Sequence, residues 1–171
     1  MDRTQYSTNI RKNIESYGRG VVGVYNNEYD DEVYTHFYSV GNPRFEYICF
    51  HPTDISGELI HKVAKTVARH PRNYNLNSQP FVELPGLLCD YHVDDYHLPY
   101  EQLVGLRRLR GAQEQMVRDR YLKAYQWEEL QDYTSGVPIV QILLSDGNNL
   151  FPGMDGCNEL FEEWTPEWLW V

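Results

Sequence analysis

The segment Val137-Pro138-Ile139-Val140-Gln141-Ile142-Leu143-Leu144 places the tightest limit on what this chain can fold into, because Gln141 is its one polar side chain. A strand with one wet face alternates apolar and polar residues. A run that is apolar on both sides belongs at the centre of a sheet, covered above and below. Gly147 closes it. The rest of the chain must therefore supply neighbouring strands and covering helices, and 171 residues suffice for a single domain, 1–171, with one contiguous core.

Those elements are legible in order. Thr4 to Tyr17 reads as a helix stopped by Gly18 and Gly20. Val21–Tyr25, Val33–Val40 and Phe45–Phe50 are β-branched and aromatic runs separated by Asn26-Asn27 and Gly41-Asn42-Pro43, which predicts an antiparallel meander. A helix follows with Thr53 or Asp54 as N-cap. It carries Ile55, Leu59, Ile60, Val63, Ala64, Val67 and Ala68 on one face, and Pro71 ends it. Residues 71–80 read as loop, Phe81–Leu84 and Leu87–Val93 as strands, and Ala112 to about Leu130 as a second helix. The expected class is α+β: an antiparallel or mixed sheet with helices packed on one face.

Charge narrows the function. After Lys123 there is no Lys or Arg, while Glu128, Glu129, Asp132, Asp146, Asp155, Glu159, Glu162, Glu163 and Glu167 are all acidic, against a net charge of −10. Such a surface repels phosphate backbones, so general nucleic-acid binding is not expected. No apolar run approaches the roughly eighteen residues of a membrane span, and the N-terminus lacks a signal-peptide core, so a cytoplasmic protein without membrane association is expected. Cys49, Cys89 and Cys157 show neither a metal-pair spacing nor a disulfide framework and read as reduced thiols.

Several segments together carry a resemblance. These are Ile14 through Val24 with the Tyr17-Gly18 turn, Phe37-Tyr38-Ser39-Val40-Gly41, Phe45 to Phe50, Tyr121 to Tyr125, Val137 to Gly147, and Leu150-Phe151-Pro152-Gly153. The chain resembles an uncharacterised bacterial and viral family, domain of unknown function 4262. Leu144-Ser145-Asp146 stands where that family has Trp-Pro-Asp, and Gly153 where it has Trp. The resemblance implies a fold and brings no activity, cofactor or catalytic residue. Its distribution points to defence or counter-defence as a setting.

Candidate chemistry is sparse. Alternation puts Tyr34, His36 and Tyr38 on one face of their strand; if Phe37 meets the helices, they line a groove or water, where a histidine between tyrosines can stack on a nucleobase or act as a base. Asp90, His92 and Asp94 would share a strand face and offer metal-ligand atoms, but the segment reads equally as a polar edge, and neither metal nor cofactor is expected. No nucleophile elbow, zinc motif or phosphate loop occurs, and Gly18-Arg19-Gly20 is too short to cradle a phosphate.

Arg107, Arg108 and Arg110, with Arg118, Arg120 and Lys123, can form the anion-binding wall of a small pocket or a solvated helix face. Gln141 and Asp146 join them as candidate ligand contacts. The acidic segment Asp155 to Val171 ends with Trp164, Trp168 and Trp170 around a Thr165-Pro166 helix start left incomplete, and these rings must cover the body, a second copy or a partner. The expected function is therefore binding, of a protein partner (or of a second copy) or of a small anionic, nucleotide-like ligand. The alternative is a small hydrolase or transferase using His36 or Asp90 to His97.

Overall fold

The computed structural model describes residues 2–53, 55–79, 81–84, 91–93, 96–98, 103–134 and 136–171. Helix α1 (Arg3–Tyr17) starts on Asp2, whose carboxylate accepts the Gln5 amide at 2.8 Å, and stops on Gly18 at φ 84°, whose N–H bonds Ile14 O. A left-handed residue here is what glycine provides without strain. Strands β1 (Gly20–Tyr29), β2 (Glu32–Val40) and β3 (Glu46–Cys49) then form the expected antiparallel meander, and α2 (Ile55–Arg69) follows. Next come β4 (Phe81–Leu84), the small hairpin β5 (Tyr91–Val93) and β6 (Tyr96–Leu98), β7 (Val104–Arg108), α3 (Gly111–Tyr121), β8 (Ile139–Leu144) and α4 (Glu159–Trp164).

The main sheet is mixed, ordered β1-β2-β3-β8-β7-β4, with β8 parallel to β3 and antiparallel to β7. All six residues of β8 are buried, as its composition requires of an inner strand. Alternation sorts the core into two layers. Phe37, Tyr47, Cys49, Val140 and Ile142 meet Leu59, Ile60, Val63, Ala64 and Val67 of α2. Tyr38, Val40, Ile48, Phe50 and Ile139 face the other way, onto Ile10 of α1 and Val117, Tyr121, Leu122, Ala124 and Leu130. The class is α+β, and helical segments cover both faces of the sheet where the sequence pattern suggested one. An inner strand apolar on both sides leaves no other arrangement.

Two elements differ from the pattern. The helix expected to reach Leu130 ends at Tyr121, and two 3₁₀ segments follow, Lys123–Gln126 and Glu128–Tyr133. Tertiary bonds replace the helical ones at that point: Tyr121 O accepts from His36 Nε2 at 2.8 Å, and Ala124 N donates to Tyr38 Oη at 3.1 Å. Strand β7 was hidden by Gly105, Arg107 and Arg108. Gly105 is required there, since a Cβ would lie 2.7 Å from the Phe81 ring and 3.0 Å from Phe151. Among the described residues no helix is long and apolar enough to cross a membrane.

Candidate functional site

The inner face of the β1–β2 hairpin and the chain crossing it enclose a cavity of about 300 Å³. Its floor is Val22, Val24, His36 and Tyr38, its sides are Tyr6, Asn27, Tyr121 and Trp127, and Arg120 and Lys123 add two cations. A β-bulge puts Asn27 there. Val24 pairs with His36 and Asn27 with Tyr34, so two residues, Tyr25 and Asn26, oppose Thr35 alone, and Asn26 takes φ 53°. The extra residue shifts the alternation by one position and returns Asn27 to the face that carries His36.

His36 is 1% exposed and boxed by the rings of Tyr38, Phe50 and Tyr121 at centroid distances of 5.9, 5.6 and 5.1 Å. The Tyr34-His36-Tyr38 face therefore does not line water: Tyr38 is buried beneath the 121–124 crossover, and Tyr34 is half-buried at the far end. Burial holds the His36 imidazole well below its ordinary range, to about 4, against a smaller upward pull from its bond to Tyr121. A carbonyl only accepts, so Nε2 carries the proton and Nδ1 presents a lone pair. Nδ1 of His36, Nδ2 of Asn27 and Oη of Tyr121 are buried without a hydrogen-bond partner. One acceptor, one donor and one hydroxyl thus belong to residues around a single cavity. An imidazole with that pKa is uncharged at neutral pH.

The arginine wall is not assembled. Successive residues of a strand point to opposite faces, and Arg107 and Arg108 separate accordingly. Arg107 donates to Gln141 Oε1, Leu169 O and Trp170 O, so both Arg107 and Gln141 hold the C-terminal segment to the sheet. Arg108 and Arg110 bond Asn77 Oδ1 and Asn77 O and fix the segment around Asn77 that follows α2. Arg118 donates to Val137 O and Glu114. Asp146, 1% exposed, accepts the amides of Asn148 and Leu150 on Oδ1 and of Asn158 on Oδ2, the work of a carboxylate that shapes a loop. It does not reach the His36 cavity.

The tryptophans cover the body. Trp164 packs on His51 and Phe161, Trp168 stacks on Tyr121, and the Trp170 indole donates to Glu162 O and Thr165 O. Thr165 closes α4 instead of opening a helix, and Glu167–Leu169 is one 3₁₀ turn. Beside it Glu159, Glu162, Glu163 and Glu167 surround an open hollow of about 470 Å³ with Tyr34 and Trp170. Asp90 and Asp94 lie outside the described residues. His92 and His97 are described in backbone only, as cross-strand partners of the β5–β6 hairpin. Among the described residues no group of three His, Cys, Asp or Glu is placed to hold a metal.

Sequence reasoning missed Asn27, visible only through the bulge, and Glu46. Glu46 is 3% exposed and accepts from Ser39 Oγ, Gly41 N and Asn42 N at 3.0, 2.9 and 2.8 Å. Burial raises its carboxyl to about 7, and these hydrogen bonds oppose the rise. A lone Glu between Phe45 and Tyr47 in an apolar strand was the available signal. Comparison of the chain with models of protein families, with curated proteins and with solved structures yields no match in any of the three.

Proposed function

We propose that the protein binds a small, planar, anionic heterocycle, a nucleotide-like ligand, in the His36 cavity. The observation that carries this reading is the set of three unpartnered polar atoms, His36 Nδ1, Asn27 Nδ2 and Tyr121 Oη, on residues around that one cavity. A buried polar group left unpaired costs roughly 1–3 kcal/mol, and a heterocycle edge with both a donor and an acceptor answers all three. Tyr6, Tyr38 and Trp127 supply aromatic walls. Arg120, whose guanidinium lies 4.4 Å from the Tyr29 ring centroid and 5.4 Å from that of Trp168, and Lys123 are the cations of the lining that an anionic substituent would meet.

Calorimetric titration with purine and pyrimidine nucleoside monophosphates, and with ribose 5-phosphate as the base-free control, tests the reading. Binding of at least one nucleotide and not of the control is expected, with affinity reduced roughly tenfold by Tyr121→Phe or by Asn27→Ala. No nucleotide binding, or binding indifferent to both substitutions, would remove the proposal.

A further inference from the structure

On the opposite side of the β1–β2 pair from the hairpin tip, Tyr17, Arg19, Glu58, His61, Lys62 and Lys65 surround a hollow of about 700 Å³. Its geometry comes from two elements. Gly18 turns the chain at the end of α1, so Arg19 leads directly into β1. On α2, Glu58, His61, Lys62 and Lys65 recur at helical spacing and share the face that points away from the core.

Arg19 is held in place. Its Nε donates to Asn42 Oδ1 at 2.9 Å, while Asn42 Nδ2 donates to Phe45 O at 2.7 Å and Asn42 N to the Glu46 carboxylate. Its Nη1 lies 3.5 Å from His61 Nδ1. A guanidinium has no lone pair to offer, so that nitrogen of His61 accepts and the neutral ring carries its proton on Nε2. No carboxylate among the described residues lies within ion-pair distance of Arg19, Lys62 or Lys65. Lys62 and Lys65 are exposed, and Tyr17 stands 70% exposed as an aromatic wall.

Three cations and the imidazole of His61 thus line one concavity in a chain of net charge −10. Surface cations scattered for solubility would be interleaved with carboxylates, and among the described residues that line this hollow Glu58 alone opposes them. We infer that this hollow is a second, separate site, for a compact and multiply charged oxyanion of the phosphate class. Arg19 is the fixed fork, Lys62 and Lys65 the mobile charges, and Tyr17 the surface for any organic group the phosphate carries.

The test is titration of the full chain with inorganic pyrophosphate, inorganic phosphate and phenyl phosphate at low and physiological salt, read by calorimetry and by the His61 ring resonances. Pyrophosphate is expected to bind more tightly than phosphate, to shift the His61 resonances, and to weaken as salt rises. Lys62→Gln combined with Lys65→Gln, both on exposed positions, is expected to reduce pyrophosphate affinity at least about tenfold with the fold unchanged. If phenyl phosphate outbinds phosphate and Tyr17→Ala removes only that difference, the ligand is an organic phosphate; if the two bind alike, it is an inorganic one. Absence of pyrophosphate binding, or binding that neither moves His61 nor responds to the lysine pair, would overturn the assignment. Tyr121→Phe, which tests the His36 cavity, should leave pyrophosphate binding unchanged, so the two sites fail independently.

Discussion

Replacing Arg107 with Met tests whether the C-terminal segment is part of the fold or an appendage available to a partner. Met keeps most of the stem volume and deletes every donor. Gln141 Oε1, Trp170 O and Leu169 O then lose their partner, at present 2.8, 2.7 and 2.5 Å from the guanidinium. Gln141 and Leu169 are fully buried, so water does not replace the bond there, whereas half-exposed Trp170 can be partly rehydrated. At roughly 1–1.5 kcal/mol for each of the two buried acceptors and less for the third, the loss is about 3 kcal/mol. That is a large part of the roughly 5–15 kcal/mol by which a domain is stable. Urea unfolding followed by tryptophan fluorescence reads the segment directly, because three of the four tryptophans lie in it. With a slope of about 2 kcal/mol per molar, the midpoint should fall by about 1.5 M. Arg107→Lys, with one ammonium in place of a fork, should lose part of that. A change under about 0.5 kcal/mol for Arg107→Met would show that the segment is not held by this contact, and would return Trp164, Trp168 and Trp170 to consideration as a partner surface.

Two further outcomes follow from buried groups. His36 and His51 are held neutral to about 4 and about 3, so the unfolded chain takes up protons first as pH falls below 6.5. Stability is thus present above pH 6.5 and lost on acidification, by about 3 kcal/mol for His36 alone by pH 4. Glu46, raised to about 7, acts with the opposite sign: its contribution is present below its unfolded value and is lost as pH rises from 4.5 to 7. Chemical denaturation at pH 4.5 and 7 should therefore show Glu46→Gln losing stability on acidification more steeply than the parent chain; equal slopes would mean that folding leaves the Glu46 carboxyl unshifted. Gly153→Ala places a Cβ 2.7 Å from Val171 O at φ 96° and should lower stability by about 2 kcal/mol, measured by the same urea titration.

The core elements were readable from sequence because their patterns are local: β8 by continuous apolarity and the covering helix α2 by helical spacing, whereas alternation in β2 paired the right residues on one face without showing that both faces are buried. Strand β7 was not, because its identity depends on neighbours. Arg107 can sit in a strand only with two backbone carbonyls and Gln141 arranged around it, and Gly105 reads as a turn until Phe81 and Phe151 are known to press on it. The same limit explains the site residues. Asp146, Gln141 and the arginines were singled out for their chemistry, and chemistry does not reveal whether a partner lies within the same chain. Arg107, Arg108, Arg110 and Gln141 are occupied by segments far away in sequence, and Asp146 by the turn that follows it.

The residues around the His36 cavity divide in the same way. Alternation placed His36 and Tyr38 together, yet Asn27 enters only through a bulge and Tyr121 only because α3 stops where its carbonyl meets His36. That stop has a consequence for the chemistry. Had the helix continued to Leu130, Tyr121 O would have accepted from the Tyr125 amide, and His36 would have lacked the acceptor that fixes its tautomer. Tyr125 N instead bonds Leu122 O, a 3₁₀ pattern, which frees Tyr121 O. The helix end and the unpartnered lone pair on His36 Nδ1 are therefore one structural event: the backbone gives up a helical bond, and a residue on the cavity floor gains a fixed tautomer.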